Sequence, residues 1–325
     1  MYRKNSVLIA LLTLAPASIL LALMMGSVSL SAQEIFQSLF GNQVTQATQI
    51  IQELRLPRAL GAFSCGALLA LSGALMQVLL RNPLADPYVL GISGGAAVVT
   101  LLAMLAGASG WMLTGSAFAG ALLSMFIVFG LARGRGSWSP TRLLLTGVVV
   151  AAGWGACVSF ILALAPARNL HSMLFWLMGD LAYVKSFWPG IFVMFFGLGV
   201  ALLTARRLNI LLHGAMQAHA LGVDVRSLRL TIYVLASLMT ATAVTIAGSI
   251  GFVGLVVPHL IRLAGITDHR WLLPGSALLG GSLLVIADTF ARSIIAPQQL
   301  PVGVIMAMIG VPMFLFLLNR NNKPL

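Results

Sequence analysis

"ALGAFSCGALLALSGALMQVLL", residues 59–80, contains 22 residues and no charged side chain. A helix needs about 20 consecutive apolar residues to cross the hydrocarbon core of a bilayer. Comparable charge-free runs occupy residues 7–28, 143–165, 186–205, 230–249 and 302–318. Because lipid offers no hydrogen-bond partner to a strand edge, these runs predict a bundle of membrane-spanning helices.

Two longer apolar stretches are each long enough for two helices. Residues 87–132 break naturally at Gly107–Trp111, and residues 251–296 are divided by the polar "TDHR" of 267–270. The sequence therefore predicts an all-α polytopic protein with about ten spans in a single transmembrane domain, residues 1–325. A charged content of 8% and a mean hydropathy of +1.01 agree with this class.

The formal charge of +12 is explained by topology. No basic stripe with interleaved aromatic residues indicates a nucleic-acid partner. If ten spans follow a cytoplasmic N-terminus, 14 of the 19 basic residues fall inside and five outside, namely Arg55, Arg58, Arg168, Lys185 and Arg292. The positive-inside rule then predicts that both termini are cytoplasmic.

Asp288 is the acid that lies deepest in an apolar run, in "LLVIADTFAR". An acid within a membrane helix is a functional candidate by default, but Arg292 follows one helical turn later, so we expect the two to pair. An ion-coupled secondary transporter normally needs more buried ionisable groups than this. That class is the main alternative to the function inferred below.

The chain has no motif for binding a nucleotide or a metal. No GxxxxGK[ST] phosphate-binding loop is present, so any ATP hydrolysis must come from a partner. The five histidines are scattered, and Cys65 and Cys157 have no companion ligand at chelating spacing. We therefore expect no metal site and no cofactor bound by this chain, and no catalytic residue.

Several segments, in the same order along the chain, resemble FecCD-type permeases, the subunits of bacterial ATP-binding-cassette importers for iron chelates and vitamin B12. They include "RLPRALGAF" (55–63), "RNPLADPYVLGISGGA" (81–96), "ALGVDVRSLR" (220–229), "GSIGFVGLVVPHLIRL" (248–263) and "ADTFAR" (287–292). The resemblance implies the type II importer permease fold. It also implies a homodimer in the bacterial inner membrane, with two cytoplasmic ATPases carrying ATP and Mg²⁺ and a periplasmic binding protein. The implied cargo is a ferric siderophore, haem or cobalamin, and the sequence does not choose among them.

The resemblance also implies two sets of site residues. Arg55, Arg58 and Arg292 match arginines that dock the binding protein on the outer face. Ser139, Pro140 and Thr141, with Leu145 one turn further on, match a cytoplasmic gate. A proline in this gate departs from the small hydroxyl residues that are more frequent in the family.

A coupling segment at residues 208–225, "LNILLHGAMQAHALGVDV", is expected to follow a span that ends at Arg206 and Arg207. Its pattern predicts two short helices joined at Gly222, since glycine favours a helix stop. Met216, Ala220 and Leu221 would form an apolar ridge. The resemblance implies that this segment contacts the ATPase through Gly214, Gln217, Ala218, His219, Leu221, Gly222 and Val223. An acid is frequent in the family where this chain has Ala215.

Overall fold

The computed structural model describes residues 2–26, 28, 30–41, 45–133, 139–182, 184 and 186–321, and the part it describes is helical with no strands. Lys185 of the predicted topology lies outside these residues. The helices are α1 (Tyr2–Met24), α2 (Ala32–Phe40), α3 (Gln46–Gln49), α4 (Leu56–Leu80), α5 (Ile92–Leu105), α6 (Trp111–Arg133), α7 (Pro140–Leu164), α8 (Ala167–Met178), α9 (Trp188–Leu212), α10 (Ala215–Ala220), α11 (Val225–Ala247), α12 (Val253–Leu263), α13 (His269–Ser293) and α14 (Val302–Asn321). A π-helical turn, Ile50–Arg55, leads into α4, and a 3-10 turn, Pro87–Leu90, precedes α5.

Seven of the described helices are long and apolar enough to cross a membrane, and three shorter apolar helices, α5, α12 and α14, accompany them. This agrees with the all-helical polytopic prediction. The expected breaks are also present: α5 and α6 are separated by a turn with Gly107 and Gly110 at positive φ, and α12 ends at Leu263 before α13 begins at His269, within the predicted "TDHR" break.

The helix α4 lies at the centre of the bundle, and 89% of its most apolar window is buried. It packs on α13, α11, α12 and α9. Glycines allow the closest approaches, because a Cβ atom on Gly66 would overlap the carbonyl of Gly280 and one on Gly73 would overlap that of Gly254. Small residues therefore serve tight helix packing here, as they do in many membrane bundles.

The predicted pattern of two short helices in residues 208–225 is wrong. Residues 208–212 form the last turn of α9, because the hydrogen bonding of a helix continues past the end of an apolar run. The segment after Gly222 is also not a second short helix. Asp224 accepts hydrogen bonds from the N–H groups of Arg226 and Ser227 and so caps the long helix α11.

Candidate functional site

The functional residues that the sequence predicts lie at two ends of the bundle. We call the end that carries Arg55, Arg58 and Arg292 the outer end, and the end that carries residues 208–225 the inner end. The names follow the predicted topology.

Asp288 pairs with Arg58, 230 residues away in the chain, and not with Arg292 as the sequence suggested. The Nε and Nη2 groups of Arg58 donate to the two carboxylate oxygens, each at 2.8 Å, and Nη1 donates to Gln299 Oε1 at 2.8 Å. The exposed fractions of the Arg58 and Asp288 side chains are only 13% and 4%. The planar guanidinium engages both oxygens at once, which is the strong form of this interaction.

Arg55 and Arg292 both bind the end of α1. Arg55 is 5% exposed and donates to the carbonyls of Leu23 at 2.6 Å, Met24 at 3.3 Å and Val28. Arg292 donates to the carbonyl of Ala22. The last four carbonyls of a helix have no partner within the helix, so these two arginines cap α1. Docking of a binding protein by the three arginines stays a prediction, and in this structure all three are engaged within the chain.

The predicted gate residues form the first turns of α7. The hydroxyl oxygen of Ser139 accepts a hydrogen bond from the N–H of Arg142 at 3.2 Å, and Pro140 is the first helical residue, where its missing N–H costs nothing. The departure at Pro140 is thus compatible with a well-formed helix start. Thr141 and Leu145, four residues apart on one helical face, are both exposed.

The predicted coupling segment has a buried side and an exposed side. Ala218 is fully buried and Val223 is 7% exposed, and both pack against the core of the bundle. Met216 is 89% exposed and Leu221 is 68% exposed. Ala220, the third residue of the expected apolar ridge, is exposed too. Gln217, His219 and Gly222 are also exposed. Positive φ values at Gly214 and Gly222 form the turns on both sides of α10.

A polar clamp that the sequence did not reveal connects α9 to the start of α13. Asn209 Nδ2 donates to Asp268 Oδ1 at 2.8 Å, while Asn209 Oδ1 accepts from the backbone N–H of His269 at 3.0 Å and from its Nδ1 at 2.7 Å. Hydrogen bonds from Arg270 hold the pKa of Asp268 below its usual range, so that it remains an anion. The clamp lies one turn before the end of α9 and so next to α10.

The irregular segments before α5 and α12 meet inside the bundle. Tyr88 in the 3-10 turn accepts a hydrogen bond at its hydroxyl from the backbone N–H of Ile250 at 3.1 Å. Asp86 caps that turn by accepting from the N–H of Tyr88 at 2.8 Å. Burial raises the pKa of Asp86 to about 6. Asp86 is thus a partly buried acid that the sequence did not indicate.

A bundle of this kind, with a packed central helix, interrupted helices and an exposed connecting helix at one end, defines a multi-pass membrane protein of the permease class. The FecCD transport family profile matches residues 12–320, and the chain belongs to this family. It is therefore a permease of the metal-chelate, haem and vitamin B12 type of ATP-binding-cassette importer, a translocation subunit whose ATPase activity resides elsewhere.

Individual relatives agree with this assignment. The chain is 40% identical over 323 residues to the hemin transport system permease protein HmuU of Yersinia pestis, covering 94% of each chain. It is 39% identical over 279 residues to the vitamin B12 import system permease protein BtuC of Citrobacter koseri, covering 84% of each. A solved structure described as an inward-facing metal-chelate type ABC transporter matches with a TM-score of 0.83 and 32% identity, over 97% of this chain and 99% of the other.

Proposed function

We propose that this chain forms the translocation path of a bacterial inner-membrane importer that carries an intact metal chelate from the periplasm to the cytoplasm. The cargo class is a ferric siderophore, haem or cobalamin. Two copies of the chain assemble with two ATPases and a periplasmic binding protein. The likeness to both a hemin permease and a vitamin B12 permease supports the class and leaves the individual chelate to experiment.

The geometry of residues 208–225 carries the proposal. An apolar pair at Met216 and Leu221 is exposed on a connection outside the predicted spans, while Ala218 and Val223 fasten the same connection to the bundle. A protein surface that pushes on Met216 and Leu221 would therefore move α9 and α11 directly. This is the arrangement needed to pass nucleotide-driven motion into a membrane domain.

The proposed ATPase contact is tested with charge substitutions. We expect Met216→Glu and Leu221→Glu to prevent co-purification with the ATPase and to abolish ATP-dependent uptake of the chelate into proteoliposomes. Ser109→Glu places the same charge on an exposed turn far from α10 in the sequence and should change neither. Retention of the ATPase by both α10 variants would contradict the assigned contact.

The driving force is tested separately. Uptake should require the ATPase and ATP, and it should persist when a protonophore removes the proton gradient. Uptake that proceeds without the ATPase and stops with the protonophore would instead establish the ion-coupled alternative. A panel of a ferric siderophore, haem and cobalamin, each presented by the cognate binding protein, identifies the cargo.

The outer arginines and the gate complete the proposal. Docking at Arg55, Arg58 and Arg292 is tested by the affinity of the binding protein for single Lys variants, which keep the charge but lose the planar fork.

The gate at Ser139, Pro140, Thr141 and Leu145 is tested with Leu145→Gly. Removal of an apolar constriction should raise ATP hydrolysis that is not accompanied by transport.

A further inference from the structure

The short helix α2 lies at the outer end beside the tip of α1 and has a well-defined start. Ser31 Oγ accepts from the N–H of Glu34 at 3.3 Å, and Glu34 Oε2 accepts from the N–H of Ser31 at 2.8 Å. This reciprocal pair is a capping box, which satisfies two N–H groups at the helix start. The helix therefore begins at a position fixed by its own sequence.

Three different surfaces run along α2. Ile35 and Ser38 are buried against the protein, at 3% and 2% exposure. Phe36 and Phe40 are 65% and 74% exposed, and their rings contact each other with centroids 5.0 Å apart. At 3.6 residues per turn the Phe pair lies about 150° round the axis from the buried face, next to a polar arc of Gln33, Gln37 and Glu34.

The depth of α2 is fixed by its contacts. Ile35 belongs to a small apolar cluster with Leu23, Leu30 and Ile51. Leu23 lies in the last turn of α1, where Arg55 and Arg292 cap the helix. Because Ile35 packs in the same cluster as Leu23, α2 lies at the level where α1 ends.

The apolar surface of α1 leads up to this level. Leu20 and Leu21 on its last two turns are 46% and 38% exposed, and Met25 directly after it is 42% exposed, beside a helix that is mostly unburied. Trp111 and Trp188, which begin two other spans at the same end, are 78% and 67% exposed. Exposed aromatic residues at the ends of spans are typical of the membrane–water interface.

We propose that α2 is an interfacial membrane anchor. Phe36 and Phe40 insert into the boundary between headgroups and acyl chains of the lipid, Ile35 and Ser38 hold the helix on the bundle, and the polar arc faces water. In this orientation the helix buries both of its apolar arcs, one against the protein and one in lipid, while its polar arc stays in water. The anchor holds the outer connection from α1 to α4 against the membrane surface.

Spin labelling of the intact protein in vesicles of phosphatidylethanolamine and phosphatidylglycerol tests this proposal. Cys157 is exposed and is replaced by Ser, while the buried Cys65 is retained. Single cysteines at positions 36 and 40 report on the Phe arc, and one at position 37 reports on the polar arc. We expect the ratio of oxygen accessibility to nickel-chelate accessibility to be severalfold higher at 36 and 40.

Equal ratios on both arcs would overturn the proposal, because positions 36 and 40 would then face water. If the nickel-chelate accessibility of these two positions is lost when the binding protein is added, α2 is instead a protein-docking surface. A Phe36→Ser/Phe40→Ser variant, labelled at 37, should show a more mobile label than the wild-type background, and Phe36→Trp/Phe40→Trp should restore it. An unchanged mobility in the Ser variant would also refute the anchor.

Discussion

Removal of the carboxylate at Asp288 should destabilise the protein strongly. In Asp288→Ala, Arg58 keeps only its hydrogen bond to Gln299 and remains almost enclosed, at 13% side-chain exposure. Breaking a buried ion pair by deleting one partner costs about 3–5 kcal/mol, and we expect the lower part of this range, because Asp180 also interacts electrostatically with Arg58. With a shift of about 2–4 °C per kcal/mol for large domains, the melting temperature should fall by on the order of 10 °C.

The chain provides its own control. Arg270 forms the other ion pair among the described residues, with Asp268 at 2.6 Å, and its side chain is 52% exposed. Exposed pairs contribute about 0–1 kcal/mol, so Arg270→Ala should shift the melting temperature by only a few degrees. The double variant Arg58→Leu/Asp288→Leu removes both charges and should recover most of the loss, since an apolar pair of similar volume has no desolvation penalty.

The assay is the fraction of detergent-solubilised protein that remains monodisperse after heating, measured for wild type, Asp288→Ala, Arg270→Ala, Arg58→Leu, Asp288→Leu and the Leu/Leu double variant. The cycle formed by wild type, Arg58→Leu, Asp288→Leu and the double variant isolates the energy of the pair from the effects of each side chain. Two results would refute this reasoning: Asp288→Ala melts no earlier than Arg270→Ala, or the double variant is as unstable as Asp288→Ala. In either case the burial of the Arg58–Asp288 pair does not determine its contribution to stability.

Three further outcomes are expected. Gly73→Ala should abolish accumulation of folded protein, because its Cβ would overlap the Gly254 carbonyl, whereas Gly199→Ala, with no atom within 4 Å of its Cβ, should melt as wild type does; expression and melting curves check both. Asn209→Ala, which removes the clamp between α9 and α13, should lower the amount of chelate transported per ATP hydrolysed in proteoliposomes, and wild-type stoichiometry would contradict a role in coupling. Because burial raises the pKa of Asp86 from its ordinary 3.8 to about 6, the folded state retains a proton that the unfolded chain loses. Stability should therefore fall between about pH 4 and pH 6 by at most about 3 kcal/mol, and Asp86→Asn should remove that slope in pH-dependent melting.

The sequence predicted the spans because the length of an apolar run and the thickness of a bilayer are both local quantities. It also predicted the breaks at Gly107 and at residues 267–270, and Gly107 and Gly265 have a positive φ where the backbone leaves the helix. The extent of α9 was not predicted, because Arg206 and Arg207 mark the end of an apolar run and not the end of the hydrogen-bonded helix.

The partner of Asp288 could not be predicted from local spacing. Arg292 satisfied the one-turn rule, but α13 directs Asp288 to α4 and Arg292 to the end of α1. A contact between residues 230 positions apart depends on which helices pack together. The clamp at Asn209 was missed for the same reason, since an asparagine near a helix end gives no signal of its partner in another helix.

The exposed faces of α7 and α9 differ in a way that supports the proposed dimer. Only 11% of the apolar window of α7 is buried, against 28% for α9, so both helices present most of their surface to something outside the chain. The surface of α9 carries Phe192, Phe195 and Leu203, at 72%, 64% and 85% exposure, which are large side chains suited to lipid. The surface of α7 includes Gly153 and Gly155, where an added Cβ atom would meet no atom of this chain within 4 Å. Small residues favour helix-to-helix contact or the wall of a path and offer little to lipid. A second copy placed against α7 would give this surface a partner and would bring Thr141 and Leu145 of both subunits to one axis, where a gate for a bulky chelate would have to lie.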